Sequence, residues 1–421
     1  MPKNKKSKSQ SDGDAVKNVL NACLAIYRRN GSTPNDEAAF ILAGPVRATI
    51  SRRDFPKWDA QIRAACVIPA LCLVSRNNLQ KVIVQALAEL PEDAKGFSRE
   101  AAREFVEQFH RAPTNYTVRR PVWGLDSDAS SEPLKLGAVT LYNRDTHQPE
   151  SPLASMAHDA SLTHAGSVTS VWAAVAVTAH DEVRAIEIAD MVFEQCEAVL
   201  NLLLPARGAE LQVSILSPNI AAIGPCHVES GAGVHLAFKT HGPVERISID
   251  DDWFRNPPAA LTRLVALVGD SAVNSSLEKD VLYAAQWCAK SRTTEDPTTA
   301  FIQSAVAMEV LLGNRNFGKG GISGRMAVSA AHLLGDTVDQ AVRVEKLVSE
   351  CYHLRSEGVH GSDKRQSELS SKLRAWQHTV TEVILKVLET GDAAGLKSLD
   401  DVAQVLRART YAYMDSGMKE P

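Results

Sequence analysis

Two side chains able to handle a phosphodiester stand five positions apart in "YHLRSEGVHG", residues 352 to 361: Arg355 and His360. A guanidinium grips a phosphate through two parallel N–H donors and stabilises developing negative charge, while an imidazole exchanges protons near neutral pH. In an unbroken helix a five-residue step turns His360 about 140° away from Arg355, at 3.6 residues per turn. Gly358 and Gly361 flank the histidine, and glycine accepts backbone angles that let the chain bend and swing the ring back. Val338, Val342, Glu345, Val348, Tyr352 and Arg355 recur at helical spacing, so Arg355 continues an apolar stripe and is expected to be buried against a partner. Spacing alone fits equally the plain end of a helix, where cations complement the helix dipole.

Other polar clusters carry weaker chemistry. "FGKGGISGR", residues 317 to 325, is glycine-rich, but it lacks the GxxxxGK[ST] order and the preceding strand that a phosphate loop needs. It reads as a loop between helices, with Ser323 as an N-cap and Lys319 and Arg325 as point charges for phosphate. In "SIDDDWF", Asp250, Asp251 and Asp252 follow a strand; adjacent aspartates rarely converge on one cation, so a loop leading to a helix cap is expected. His227, His235 and His241 have no metal-ligand spacing, and no metal site is expected. Lys364, Arg365, Lys372 and Arg374 cluster just after the Arg/His stretch and read either as a track for RNA phosphate or as a helix surface with ordinary ion pairs.

The scaffold that must position these groups is long and ordinary in composition. The 421 residues are 44% hydrophobic and 23% charged, with a net charge of -4, which argues for a globular chain of about two to four domains. Any basic surface must then be local. Seven cysteines are scattered without CxxC or Cys/His spacing, as in a reducing compartment. "MPKNKKSKSQSDGD" lacks an apolar core and reads as a solvated arm, not a secretory leader. "CVIPALCLV" and "VWAAVAVTA" are half the length of a membrane helix, so the expected location is the cytoplasm.

Residues 1–13 are expected as a disordered basic tail, and 14–112 as an all-helical domain carrying "AVKNVLNACLAIYRR", "WDAQIRAACVIPALCLV", "LQKVIVQALAELPEDAK" and "SREAAREFVEQFHR". The last opens with a serine cap and a glutamate in the manner of a capping box. Residues 113–257 read as a mixed α/β domain: "SVTSVWAAVAV" as a buried strand, "EVRAIEIADMVFEQCEAVLNLLL" as a long helix, and "ELQVSILS", "GVHLAFKT" and "VERISID" as half-buried strands. From 258 to 421 helices are expected at 261–268, 277–289, 298–312, 323–334, 338–356, 368–389 and 399–413, with short connections that favour an antiparallel bundle.

The bundle carries a resemblance. "RSEGVHG" fits the RX4H arrangement of the HEPN superfamily, and "YHLRSEGVHG" resembles the form found in its ApeA-like branch. "LYAAQWCAKSRTTEDPTTAFIQSAVAMEVLLGN" is similar to that branch's helix pair ending in "LEaLL", and "ISGRMAVSAAHLLG" to the helix before the motif helix; the likeness spans about residues 270 to 390. It implies a HEPN-like helical bundle that dimerises, and a metal-independent endoribonuclease of toxin or antiviral systems that needs no cofactor. By the resemblance Arg355 and His360 are the catalytic pair, Ser356 holds the polar position after the arginine, Tyr352 supports, and Glu309 is the acidic residue of the "LEaLL" helix. Glu309 also interrupts the apolar run "AVAMEVLL", where a carboxylate needs a partner, and Arg355 is the candidate. The implied partners are RNA, a second copy of the chain and a regulatory protein or phage-derived trigger, with no membrane. Two other readings stand beside it: a non-catalytic HEPN module that binds nucleotide, RNA or protein, and an active α/β domain with the bundle as a dimerisation platform.

Overall fold

The computed structural model describes residues 8–30, 38–43, 46–109, 113–128, 130–143, 170–203, 213–215, 225–230, 233–238, 247–269, 274–294, 296–313, 321–358 and 363–417. The chain is mostly helical, with its strands confined to the part before residue 250. It forms two compact units, one of residues 1–118 with 176–190 and the other of 119–175 with 191–421.

In the first unit α1 (Lys8–Asn30), α2 (Phe55–Cys66), α3 (Arg76–Glu89) and α4 (Arg99–Glu107) surround a core that includes Leu20, Trp58, Ile62, Leu79 and Ile83. Helix α1 begins at Lys8, inside the stretch expected as a tail. The region is not all-helical: β1 (Ala38–Ala43) and β2 (Val46–Ser51) pair antiparallel, Ile41 opposite Ala48. The segment "AAFILAGPVRATIS" holds β-branched residues around a Gly-Pro punctuation, which outweighs the helical phase read over the longer window. Helix α2 stops at Cys66 and gives way to turns around Pro69, which cannot donate to a continuing helix. Ser98 caps α4 by accepting from the Ala101 N–H at 3.0 Å. Its N3 residue is Ala101 rather than a glutamate, so the capping box expected there is absent. Residues 176–190 join this unit through Asp181, which accepts from the Ser75 N–H at 3.0 Å, and Arg184, which donates to the Cys72 carbonyl at 2.8 Å.

A four-stranded sheet has the order β3-β7-β6-β5, from β3 (Thr114–Pro121), β5 (Leu134–Leu136), β6 (Val139–Asn143) and β7 (Val171–Ala179); β5, β6 and residues 171–175 of β7 belong to the second unit. β5 and β6 are joined by Gly137 at φ +59, where an added Cβ would lie 2.4 Å from the Val268 carbonyl oxygen. β4 (Leu125–Asp126) pairs parallel with β10 (Ile247–Ser248), and β8 (Pro225–Ser230) antiparallel with β9 (Gly233–Phe238). Of "ELQVSILS", the described part holds a single bridge, Ser214 to Trp123. Helix α5 (Glu182–Leu203) and the short α6 (Asp252–Arg255) follow β7 and β10 in the chain. β5, β6 and the later helices share one compact unit, tied by the Ala138 N–H to the Val268 carbonyl at 2.9 Å and the Gly269 N–H to Gln195 Oε1 at 3.0 Å.

From residue 259 the described elements are helices: α7 (Ala259–Ala266), α8 (Ser276–Thr293), α9 (Pro297–Leu312), α10 (Ile322–Leu334), α11 (Val338–Gly358), α12 (Asp363–Ala394) and α13 (Leu399–Gly417). The starts of α8 and α9 have side-chain caps. Ser275 and Glu278 form a reciprocal capping box on α8, and Asp296 with Pro297 opens α9. Gly321, not Ser323, is the N-cap of α10. Trp376 of α12 is fully buried and stacks on Phe301 of α9 with centroids 5.9 Å apart. No helix among the described residues is long and apolar enough to cross a membrane.

Candidate functional site

Glu309 sits in the last turn of α9, whose neighbouring Met308, Leu311 and Leu312 are fully buried. The helix ends directly after it. The Gly313 N–H donates to the Glu309 carbonyl at 2.8 Å, and a Cβ on Gly313 would come within 2.5 Å of that oxygen. Tyr352 and Arg355 lie one turn apart near the C-terminal end of α11, a spacing that puts both on one face. Val348, Cys351 and Leu354 anchor this end of α11 in the core.

The three side chains meet. The Tyr352 hydroxyl donates to Glu309 Oε1 at 2.7 Å, Arg355 Nη1 donates to the Tyr352 oxygen at 3.0 Å, and Nη1 stands 2.6 Å from the same carboxylate oxygen. The guanidinium carbon also lies 5.2 Å from the centre of the Tyr352 ring, within cation–π range. Arg355 and Glu309 are 27% and 28% exposed, so the cluster is open to solvent on one side. The Nε and Nη2 donors of Arg355 have no protein partner among the described residues. That edge is the one suited to bidentate contact with an oxyanion. Burial pushes the Tyr352 phenol above its ordinary value of 10.0, and the hydrogen bond to Glu309 and that carboxylate's charge add to it, against an opposing pull from Arg355.

The pairing of Glu309 with Arg355 expected from the sequence is therefore present, and Tyr352 turns out to be its bridge. The signal for that bridge was available in the three-residue step from Tyr352 to Arg355. The stripe reading needs correction at its start: Val338 and Val342 are 65% and 58% exposed, and burial begins only at Val348. Val338 and Val342 line a groove with Val328, Ala331 and His332 of α10 that stays open to solvent. Ser356 lies in α11, but its side chain, like His360 and Lys319, falls outside the described residues.

Of the four basic residues after the motif, the side chains of two, Lys372 and Arg374, are described. Lys372 is engaged by Glu350 at 2.8 Å and Glu368 at 3.7 Å, and these two acids were left out of the sequence reading. Arg374 is exposed, Lys364 and Arg365 lie in α12 with undescribed side chains, and Arg325 points its Nη2 at the Gly313 carbonyl, 3.5 Å away. Asp250 is held by Ser131 and by Arg255 at 2.7 Å. Asp252 opens α6, and His227 and His235 fall in β8 and β9 while His241 is outside the described residues. Among the described residues no group of three or more His, Cys, Asp or Glu could hold a metal ion. No family model, no curated protein and no solved structure matches this chain.

Proposed function

We propose that the chain is a metal-independent endoribonuclease of HEPN type, a toxin or antiviral effector that acts as a homodimer through its C-terminal bundle. The observation that supports this best is the Arg355 guanidinium, fixed on one nitrogen by Glu309 and Tyr352, with an Nε/Nη2 edge that has no partner among the described residues. A cation merely stabilising a helix end has no need of two anchors.

The chemistry follows from counting groups. A ribose 2'-hydroxyl gives its proton to one imidazole as its oxygen attacks the adjacent phosphorus; the bond from phosphorus to the 5'-oxygen breaks, and a second imidazolium protonates the departing oxygen. Arg355 binds the non-bridging oxygens and carries the charge that builds on them. Each chain brings one histidine, His360, so two copies related by a two-fold axis supply base and acid. The products are a 2',3'-cyclic phosphate and a 5'-hydroxyl, and DNA, lacking the 2'-hydroxyl, is not cut.

The test is to incubate wild type, Arg355→Ala and His360→Ala with total RNA in EDTA and to map the new ends. Cleavage with cyclic-phosphate ends, lost in both variants, supports the proposal. Equal cleavage by all three proteins overturns it, and RNA binding without cleavage that both substitutions weaken favours the non-catalytic module.

A further inference from the structure

The first unit carries a basic surface that the nuclease reading does not use. Between residues 52 and 81 the chain has six cations, Arg52, Arg53, Lys57, Arg63, Arg76 and Lys81, and two carboxylates, Asp54 and Asp59. All six cations are exposed, whereas Asp54 and Asp59 are only 6% and 7% exposed. The fold sorts them in this way. Asp54 is the N-cap residue of α2, turned toward Ser51 and Lys57, and Asp59 faces inward beneath Arg63 of α2 and Arg76 of α3, which both pair with it. One carboxylate cannot neutralise two guanidiniums. Neither Arg52 nor Arg53 has an acidic partner among the described residues.

Arg53, in the turn before α2, and Pro56, Lys57, Ala60, Arg63 and Ala64 of α2 recur at helical spacing and are all exposed, a strip of cations and small residues. Ten residues of helix rise about 15 Å, and a nucleic-acid strand carries one phosphate per ~3.4 Å of axis, so the strip faces about four phosphates. Phe55, the first residue of α2 and three positions after Arg52, is 37% exposed. Cations spaced for a phosphate backbone, next to one ring able to stack on a base, are the elements of single-strand binding.

We infer that this strip binds a single strand of nucleic acid through its phosphates, with Phe55 stacking on a base. The site shares no residue with Arg355 and holds whether or not the chain cuts RNA. The probe is a fluorescein-labelled 20-mer of oligothymidylate, which has no 2'-hydroxyl to cleave, followed by anisotropy on the full chain across 50 to 300 mM salt. The combined Arg52→Gln, Arg53→Gln and Lys57→Gln variant weakens binding at least ten-fold at low salt. It also lowers the slope of log affinity against log salt by about 2, since each lost phosphate contact removes ~0.7. Phe55→Ala weakens binding by about five-fold or more with the slope unchanged. Lys279→Gln with Lys397→Gln, both exposed in the other unit, is the control and leaves binding as in wild type. No binding by the wild type, equal loss in the control, or binding to phosphatidylserine vesicles in place of the oligonucleotide overturns the inference.

Discussion

Replacing Tyr352 by phenylalanine removes a single oxygen from the centre of the candidate site and leaves the ring that lies under Arg355. The lost atom donates to Glu309 at 2.7 Å and accepts from Arg355 at 3.0 Å, while the direct contact of Arg355 with Glu309 at 2.6 Å survives. A hydrogen bond to a charged group contributes about 1.5–3 kcal/mol when dry. Here Arg355 and Glu309 are more than a quarter exposed, so water replaces part of the loss and the net cost is about 1–2 kcal/mol. That corresponds to amide exchange faster by a factor of about 5–30. The assay is native-state hydrogen exchange of the α11 amides from Val348 to Arg355, which reports local opening without requiring the two units to unfold together. At pH 7 the phenol is protonated in both states. Its raised value means that the stabilisation is complete below pH 10, the ordinary tyrosine value, and is lost as pH rises through the higher folded value. A cycle with Glu309→Gln should return a coupling of about 0.5–1.5 kcal/mol. Strictly additive effects, or exchange in Tyr352→Phe equal to wild type, would refute the bridge.

Trp376→Ala, which empties a fully buried site stacked on Phe301, should cost roughly 3–5 kcal/mol, read as the urea midpoint of the transition followed by near-UV circular dichroism. Gly335→Ala should cost about 1–3 kcal/mol in the same measurement, because the new Cβ would lie 2.7 Å from both the Ala331 carbonyl oxygen and the Ala341 Cβ. Ser275→Ala should cost ~1 kcal/mol and speed exchange in the first turn of α8. Burial pushes the Glu278 carboxyl up, but hydrogen bonds from Ser275 and the Arg263 guanidinium bring it below its usual 4.5. The stabilisation it gives is therefore present above that pH and lost as pH falls through the lower folded value, and the Ser275→Ala protein should lose it nearer pH 4.5.

The helices after residue 259 were legible because their signals are local. Apolar period, a Ser275 or Asp296 cap and Pro297 at a first turn all act within a few residues, and the observed bounds of α8 and α9 lie within four residues of those expected. Errors arose where a non-local partner decides. The β1–β2 hairpin depends on two segments finding each other, and the stripe on α11 is apolar from Val338 onward although Val338 and Val342 stay exposed in an open groove against α10. The Glu309 and Arg355 pairing was readable because a carboxylate in an apolar run demands a cation, and the number of cations on the facing stripe is small. The basic strip on α2 was not, since sequence shows "RRDFPKWDAQIR" as mixed charge and only the fold reveals that its acids point inward.

Two arginines of the same unit show what distinguishes a structural guanidinium from one that is aimed. Arg292 of α8 is deeply buried and turns Nη1 and Nη2 to the Asn201 and Leu202 carbonyls, at 3.0 and 3.1 Å, and to the Thr381 hydroxyl; burial pulls its proton affinity down, and no carboxylate among the described residues pairs with it. It closes the C-terminal end of α5, where the last carbonyls lack helical partners and the dipole favours a cation. Arg355 differs on each point. It has a carboxylate, a phenol and a ring, yet it contacts them with one nitrogen and one face, and it stays partly open. An ion pair exposed to that extent adds only about 0–1 kcal/mol to stability. Three contacts for so small a gain restrict how the guanidinium can turn far more than they hold the helices together, and a restricted, partly exposed cation is what the proposed function asks of Arg355.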